Sequence, residues 1–206
     1  RPHPATPHRG IIPRAGGVAL LIGVLIPSLL YLPLVKVITG ILLAATLTVI
    51  IGLWDDYADL SPYIRFIGNV LTAMIVVGAG VGVPFITNPV DGVIHLDSVR
   101  LQFDFFGPHS ILLWADIFAI LWIVWTMNIV GWSSGVDGQM PGFVSIAALI
   151  MGFHSLKFSA HDISQTVVAQ MAFITAGAYL GFLPWNFYPQ KIMPGYGGKT
   201  LAGLLL

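Results

Sequence analysis

An apolar run in "GLWDDYADLSPYIRF", Gly52 to Phe66, ends at two adjacent carboxylates, Asp55 and Asp56, and another apolar run begins just beyond them. Like charges on consecutive residues repel, and the low dielectric of a membrane edge strengthens the repulsion unless cations or hydrogen-bond donors compensate. Something positive is therefore expected beside the pair, and Arg65 follows in the same segment. The plain alternative is a pair of membrane-edge charges, with Asp59 or Ser61 capping the next helix and Pro62 in its first turn. A second candidate lies in "WTMNIVGWSSGVDGQMPGF", Trp125 to Phe143, where Asn128 closes a span and a Gly135-Val136-Asp137-Gly138 turn follows. Glycines let a backbone approach a ligand closely, and the amides of such a turn can point at an anion. A plain turn would read the same way.

The elements that must position these residues are membrane spans. Hydrophobic residues make up 56% of the 206 residues and charged residues only 9%, far below the roughly one quarter of a soluble domain. Nine Lys and Arg balance nine acids, all Asp, so nothing points to nucleic acid as a partner. Cys is absent, which excludes disulfides and thiolate metal sites. A crossing needs roughly 20 apolar residues. Residues 15–34 and 35–54 form a tight helical hairpin, and 64–83, 111–130, 140–158 and 166–183 supply four more spans. A seventh is expected from about Leu201. The chain starts at Arg1 and stops in "TLAGLLL", so residues 1–206 read as one integral-membrane domain cut at both ends.

The fold class expected is an all-α polytopic bundle of six spans, a truncated seventh and a small β-hairpin outside the membrane. Val93–Leu96 and Val99–Phe103 alternate and flank Asp97-Ser98, which places the hairpin. Basic residues favour the cytoplasmic side. With a cytoplasmic N-terminal segment, that side collects Arg1, Arg9, Arg14, Arg65, Lys191 and Lys199, against Lys36, Arg100 and Lys157. Both candidate motifs then face the cytoplasm of a multi-pass plasma-membrane protein. Gly68, Gly78, Gly177 and Gly181 suit close helix packing, and the Trp residues suit membrane anchoring. "YGGKT" has the look of a phosphate loop but lacks its first Gly and a preceding strand. A transporter would show polar groups at mid-depth, whereas only Asp116 lies within a span.

Taken in order, "RGIIPRAGGVALLIG", "GLWDDYADLSPYIRFIGNVLTA", "NIVGWSSGVDGQMPG" and "GFLPWNFYPQKIMPGYGGKTLAGLLL" resemble the polyprenyl-phosphate N-acetylhexosamine-1-phosphate transferases, glycosyltransferase family 4. The resemblance implies transfer of a sugar-1-phosphate from a UDP-sugar to undecaprenyl phosphate in cell-envelope glycan synthesis, with release of UMP. It implies Mg²⁺, with Mn²⁺ as a substitute, in a cytoplasmic cleft, and a homodimer in the bilayer. Asp55, Asp56 and Asp137 would be catalytic, with Asp56 and Asp137 holding the metal. Asn128, Gly135, Val136, Asn186, His8 and Lys199 would bind substrate. A hard cation bridging phosphate oxygens suits that chemistry, because attack on a diphosphate gathers several negative charges.

The chain departs from the family pattern at specific places. Ala5 and Thr6 replace an Arg-Lys pair, Gly131 an Asn, Ser134 an Asp, and Met193 the aromatic that stacks on uracil. Tyr196 stands where the family has a metal-binding Asp, and a phenol with an ordinary pKa of about 10 is a poor Mg²⁺ ligand. Three explanations follow: a divergent active enzyme in which Tyr196, Lys199 or Arg9 contacts phosphate, a relative that binds lipid or nucleotide without catalysis, or an enzyme for a different sugar nucleotide.

Overall fold

A backbone in hydrocarbon has no water to pair its N–H and C=O groups, so each apolar run satisfies them within a helix. The computed structural model describes residues 12–104, 108–160 and 162–206. Its helices are α1 (Gly16–Tyr31), α2 (Lys36–Ala58), α3 (Pro62–Gly78), α4 (Leu113–Trp132), α5 (Gln139–Phe158), α6 (Ser164–Asn186) and α7 (Gly195–Leu205). By length and apolarity α2, α4, α5 and α6 can each cross a membrane, while α1 and α3 are apolar but shorter. Leu30, Leu121, Trp125, Ile146 and Ile150 are exposed on outer helix faces, as expected of surfaces solvated by lipid. The protein is a multi-pass helical membrane protein.

Two boundaries differ from the expected ones. α2 continues through Ala58, so Asp55 and Asp56 stand in its last turns and not in a loop beyond it. α7 begins at Gly195, about six residues before the expected start, which makes Tyr196 and Lys199 helical. A glycine-rich start disguises a helix, since each Gly disfavours the helical state by about 1 kcal/mol relative to Ala. Because this stretch is helical with no strand leading into it, the phosphate-loop reading falls.

The outer segment holds two hairpins and not one. β1 (Phe85–Thr87) pairs antiparallel with β2 (Val93–His95), and β3 (Arg100–Asp104) with β4 (Pro108–Leu112). The expected partners of Asp97-Ser98 therefore belong to different hairpins. The turn 88–92 is the stronger nucleus. The Asn88 side chain accepts from the Val90 N–H at 3.1 Å, the Asn88 N–H donates to the Gly92 carbonyl at 3.0 Å, and Gly92 takes φ +78.

The core gathers Leu20, Val49, Val130, Met140, Val144, Tyr179 and Leu201 around α7, which packs against α1, α2 and α4. Hydrophobicity cannot sort helix from lipid tail, so close backbone approach must do so. A Cβ on Gly52 would strike the backbone of Gly197, and one on Gly17 would lie 2.7 Å from the Gly198 nitrogen. A Cβ on Gly203 would strike the α4 backbone at Met127. The fully buried Tyr179 hydroxyl donates to the Gly198 carbonyl at 2.9 Å and ties α6 to the same helix. Of the glycines expected to pack closely, a Cβ on Gly68 would lie 3.1 Å from the Ile51 side chain, but one on Gly78, Gly177 or Gly181 would meet nothing within 4 Å.

Gly52→Val should therefore cost about 3 kcal/mol or more, the upper end of overpacking penalties. Gly177→Ala should be neutral or slightly stabilising. Thermal unfolding in detergent checks both, and equal midpoints for the two variants would remove the Gly52–Gly197 contact from this role.

Candidate functional site

Successive residues on a helix point about 100° apart. Asp55 and Asp56 are neighbours in sequence but serve different partners. The buried Asp55 carboxylate accepts from Arg65 Nε at 2.6 Å and from the Leu60 N–H at 3.1 Å. Arg65 Nη2 also donates to the exposed Asp59 at 2.8 Å. Asp59 closes α2 in the left-handed conformation at φ 51, while Ser61 caps α3 by accepting from the Ile64 N–H at 3.4 Å, with Pro62 in the first turn. The cation expected beside the pair is thus Arg65, and it neutralises Asp55. Of the two expected caps, Ser61 is the one used for α3.

Asp56 turns toward α7. Its Oδ2 accepts from the Tyr196 N–H at 3.0 Å and so caps the positive end of that helix. Arg14 and Lys199 both act on the Asp56 charge. The Arg14 carbonyl and the Asp56 carboxylate flank Gly195, which takes φ +67 and has no room for a Cβ between them. Backbone bonds from Met193 N to the Pro13 carbonyl at 2.9 Å and from Gly16 N to the Met193 carbonyl at 3.0 Å lock this entrance.

Tyr196 fills the space between α2, α3 and α7. The Arg65 guanidinium lies 5.5 Å from its ring centre, and Asn69 Nδ2 donates to its hydroxyl at 3.1 Å. A phenol with an ordinary pKa of about 10 is neutral at pH 7. The Lys199 and Asp56 charges attract each other. Among the described residues Lys199 makes no hydrogen bond or ion pair. Asn69 was missed from sequence. Its signal was there: a buried Asn in an apolar helix, one turn after Arg65 on the same face.

The second motif forms its own junction between α5 and α6. Asp137 Oδ2 accepts from the Gln190 N–H at 3.2 Å. The buried Asn186 accepts from the Gly138 N–H at 3.1 Å and donates to the Ile192 carbonyl at 3.0 Å, which clamps the 135–138 turn to the 187–192 loop. Only Gly138 needs its glycine: φ is +74 and Phe187 presses within 2.8 Å of where a Cβ would stand. Gly135 faces open space and Val136 is exposed. Asn128 donates to its own helix at the Val124 carbonyl, 2.7 Å away. An open cavity of about 470 Å³ borders this junction, lined by Leu183, Pro184, Phe187, Tyr188, Pro189 and Lys191. His8 lies outside the described residues.

The helix ends assigned to one membrane face do meet. The starts of α1, α3 and α7 join the end of α2, and the end of α6 joins the start of α5. The three aspartates do not form one ligand set: among the described residues no group of three or more His, Cys, Asp or Glu is placed to hold a metal ion. The donors present do not fit Mg²⁺. Asp55 is neutralised by Arg65, Asp56 is shared between a helix N-terminus and two cations, and the third position is a neutral phenol.

A multi-pass bundle that brings Asp55, Asp56, Arg65 and Lys199 together at one end of its helices defines a membrane protein with a polar site at that end. The chain belongs to glycosyl transferase family 4, whose model matches residues 38–206. It is 33% identical to the decaprenyl-phosphate N-acetylglucosaminephosphotransferase of Mycolicibacterium smegmatis, covering 94% of the chain and 48% of that protein. It is 26% identical to a probable undecaprenyl-phosphate N-acetylglucosaminyl 1-phosphate transferase of Bacillus subtilis, over 95% and 50%. The phospho-N-acetylmuramoyl-pentapeptide-transferase of Staphylococcus aureus is 28% identical, over 93% and 59%. The chain thus spans about half the length of the first two of these relatives.

Asp55→Asn should destabilise the protein by about 1.5–3 kcal/mol, the contribution of a hydrogen bond to a charged group. An unchanged unfolding midpoint in detergent would show that the Arg65 pair does not hold the α2–α3 turn. Asn186→Ala leaves a buried N–H and a carbonyl unpaired, so hydrogen exchange at the Gly138 amide should accelerate at least ~10-fold. Unaltered exchange there would mean that Asn186 does not clamp the loop.

Proposed function

We propose that this chain is the core of a cytoplasm-facing enzyme that transfers an N-acetylhexosamine-1-phosphate from a UDP-sugar to a polyprenyl phosphate in cell-envelope synthesis. The observation that carries this reading is the family match over residues 38–206, which contains Asp55, Asp56, Asp137 and Asn186. An oxygen of the lipid phosphate attacks the sugar-bound phosphorus. The bond to the bridging oxygen breaks, and UMP leaves with the electron pair. The lipid tail stays in hydrocarbon while its phosphate reaches the bundle end, which explains why the carboxylates stand where α2 leaves the membrane.

In this reading Asp56 accepts the proton of the lipid phosphate, and Asp55 holds Arg65 and the α2–α3 turn in place. Asp137 and Asn186 set the shape of the loop beside the cavity. The apolar and aromatic lining of that cavity, with Lys191 at its edge, suits a nucleotide base next to its phosphates. Gly135 and Val136 belong to the clamped turn, while Asn128 stands on α4, four residues before its end. Tyr196 favours a second reading, in which the chain binds lipid or nucleotide without catalysis, since a neutral side chain stands where the family has an acid. The transporter reading gains nothing, because Asp116 simply accepts from the Leu112 N–H at 3.1 Å at the start of α4.

The test uses the full-length parent protein in detergent with undecaprenyl phosphate and a panel of UDP-sugars, scoring UMP. Asp56→Asn should reduce turnover by about 100-fold or more, the usual contribution of a positioned base, while the protein stays inserted. Full turnover in that variant would remove Asp56 from the chemistry. No UMP from any donor, with nucleotide or lipid still bound, would establish the non-catalytic reading.

A further inference from the structure

The charges at the α2–α7 junction are arranged for an anion. Arg14, Arg65 and Lys199 stand among Asp55, Asp56 and Asp59. Arg65 is taken up by Asp55 at 2.6 Å and by Asp59 at 2.8 Å. That leaves Asp56 with two cations, of which Lys199 makes no hydrogen bond or ion pair among the described residues. Lys199 stands one helical turn beyond Tyr196, whose N–H Asp56 caps, and its charge and that of Asp56 act on each other. The Arg14 carbonyl and the Asp56 carboxylate meet at Gly195, which brings the Arg14 segment to the same junction. A divalent cation entering here would meet an ammonium and a guanidinium. A phosphate would find donors with unused capacity, and a buried ammonium interacts more strongly with it than an exposed one would.

We propose that this chain holds the phosphoryl group of its ligand with Lys199 and Arg14, and that this binding does not require a divalent cation. The inference rests on the reading of the site as one for phosphorylated substrates and departs from the metal that the family resemblance implies. Tyr196 and Lys199 act together. The phenol stands where the family resemblance implies a negative charge, and the ammonium three residues later supplies a positive one, so the site holds its own counter-charge. Arg65, held by Asp55 and stacked on Tyr196, fixes the wall behind it. The shared chemistry is a phosphate ester, which a nucleoside diphosphate or a lipid phosphate can each provide.

The experiment measures dissociation constants of the full-length protein in detergent for UDP and, separately, for undecaprenyl phosphate in mixed micelles, each with EDTA and with Mg²⁺. At least one probe should bind with a constant that changes by less than ~2-fold between the two conditions, which is under 0.5 kcal/mol. Lys199→Ser should weaken that binding by about 10- to 100-fold, the loss of a charge-assisted hydrogen bond, and Lys199→Arg should retain most of it. The probe that responds identifies whether nucleotide or lipid phosphate occupies the clamp. Binding abolished by EDTA and restored by Mg²⁺ would overturn the inference and leave the proposed function standing. EDTA-insensitive binding that both Lys199→Ser and Arg14→Gln leave intact would overturn the assignment of the clamp. No binding of either probe under any condition would overturn the proposed function itself, and this inference with it.

Discussion

The carboxylate of Asp56 meeting the Tyr196 N–H in the first turn of α7 is the contact on which the rest of the site depends. A helix that begins at a membrane surface presents unpaired N–H groups and a partial positive charge. Here the cap comes from another helix, 140 positions earlier in the chain. One hydrogen bond therefore fixes where α7 starts, how it is rotated and which of its side chains look into the junction. The backbone contacts of Gly52 with Gly197 and of Gly17 with Gly198 then hold that placement at a separation no larger residue would permit.

The same geometry resolves the electrostatic problem of two adjacent aspartates. Their side chains diverge, so each charge finds its own compensation: Asp55 in Arg65 and an N–H of the turn, Asp56 in a helix end and two cations. Neither has to be neutralised by the other's partner. The two carboxylates also differ in purpose. Asp55 is buried under the α2–α3 turn as a structural anchor, while Asp56 stands where α2, α7 and the segment leading into α1 each contribute a charged group.

The spans were legible because burial in hydrocarbon sets a length that composition alone reveals. The start of α7 was not legible, since Gly197 and Gly198 read as breakers until the neighbours that require them are seen. The same limitation affected Gly78, Gly177 and Gly181: a sequence shows a small residue but not what stands opposite. The hairpin around Asp97-Ser98 failed because alternation marks strands without naming partners, and the Asn88–Gly92 turn decided the pairing. Asp55, Asp56 and Asp137 were visible as candidates. That they stand in separate hydrogen-bond networks is a matter of helix rotation and loop clamping by Asn186, neither of which leaves a local pattern.

The first turn and a half of α7, Gly195 to Thr200, bears on how the protein is made. Its residues are Gly, Tyr, Gly, Gly, Lys and Thr, a stretch too polar and too poor in side chains to partition into a bilayer on its own. Yet it sits buried between α1, α2 and α4. Its place in the membrane therefore depends on docking against α1, α2 and α4, surfaces made of protein, and not on the affinity of its own side chains for lipid.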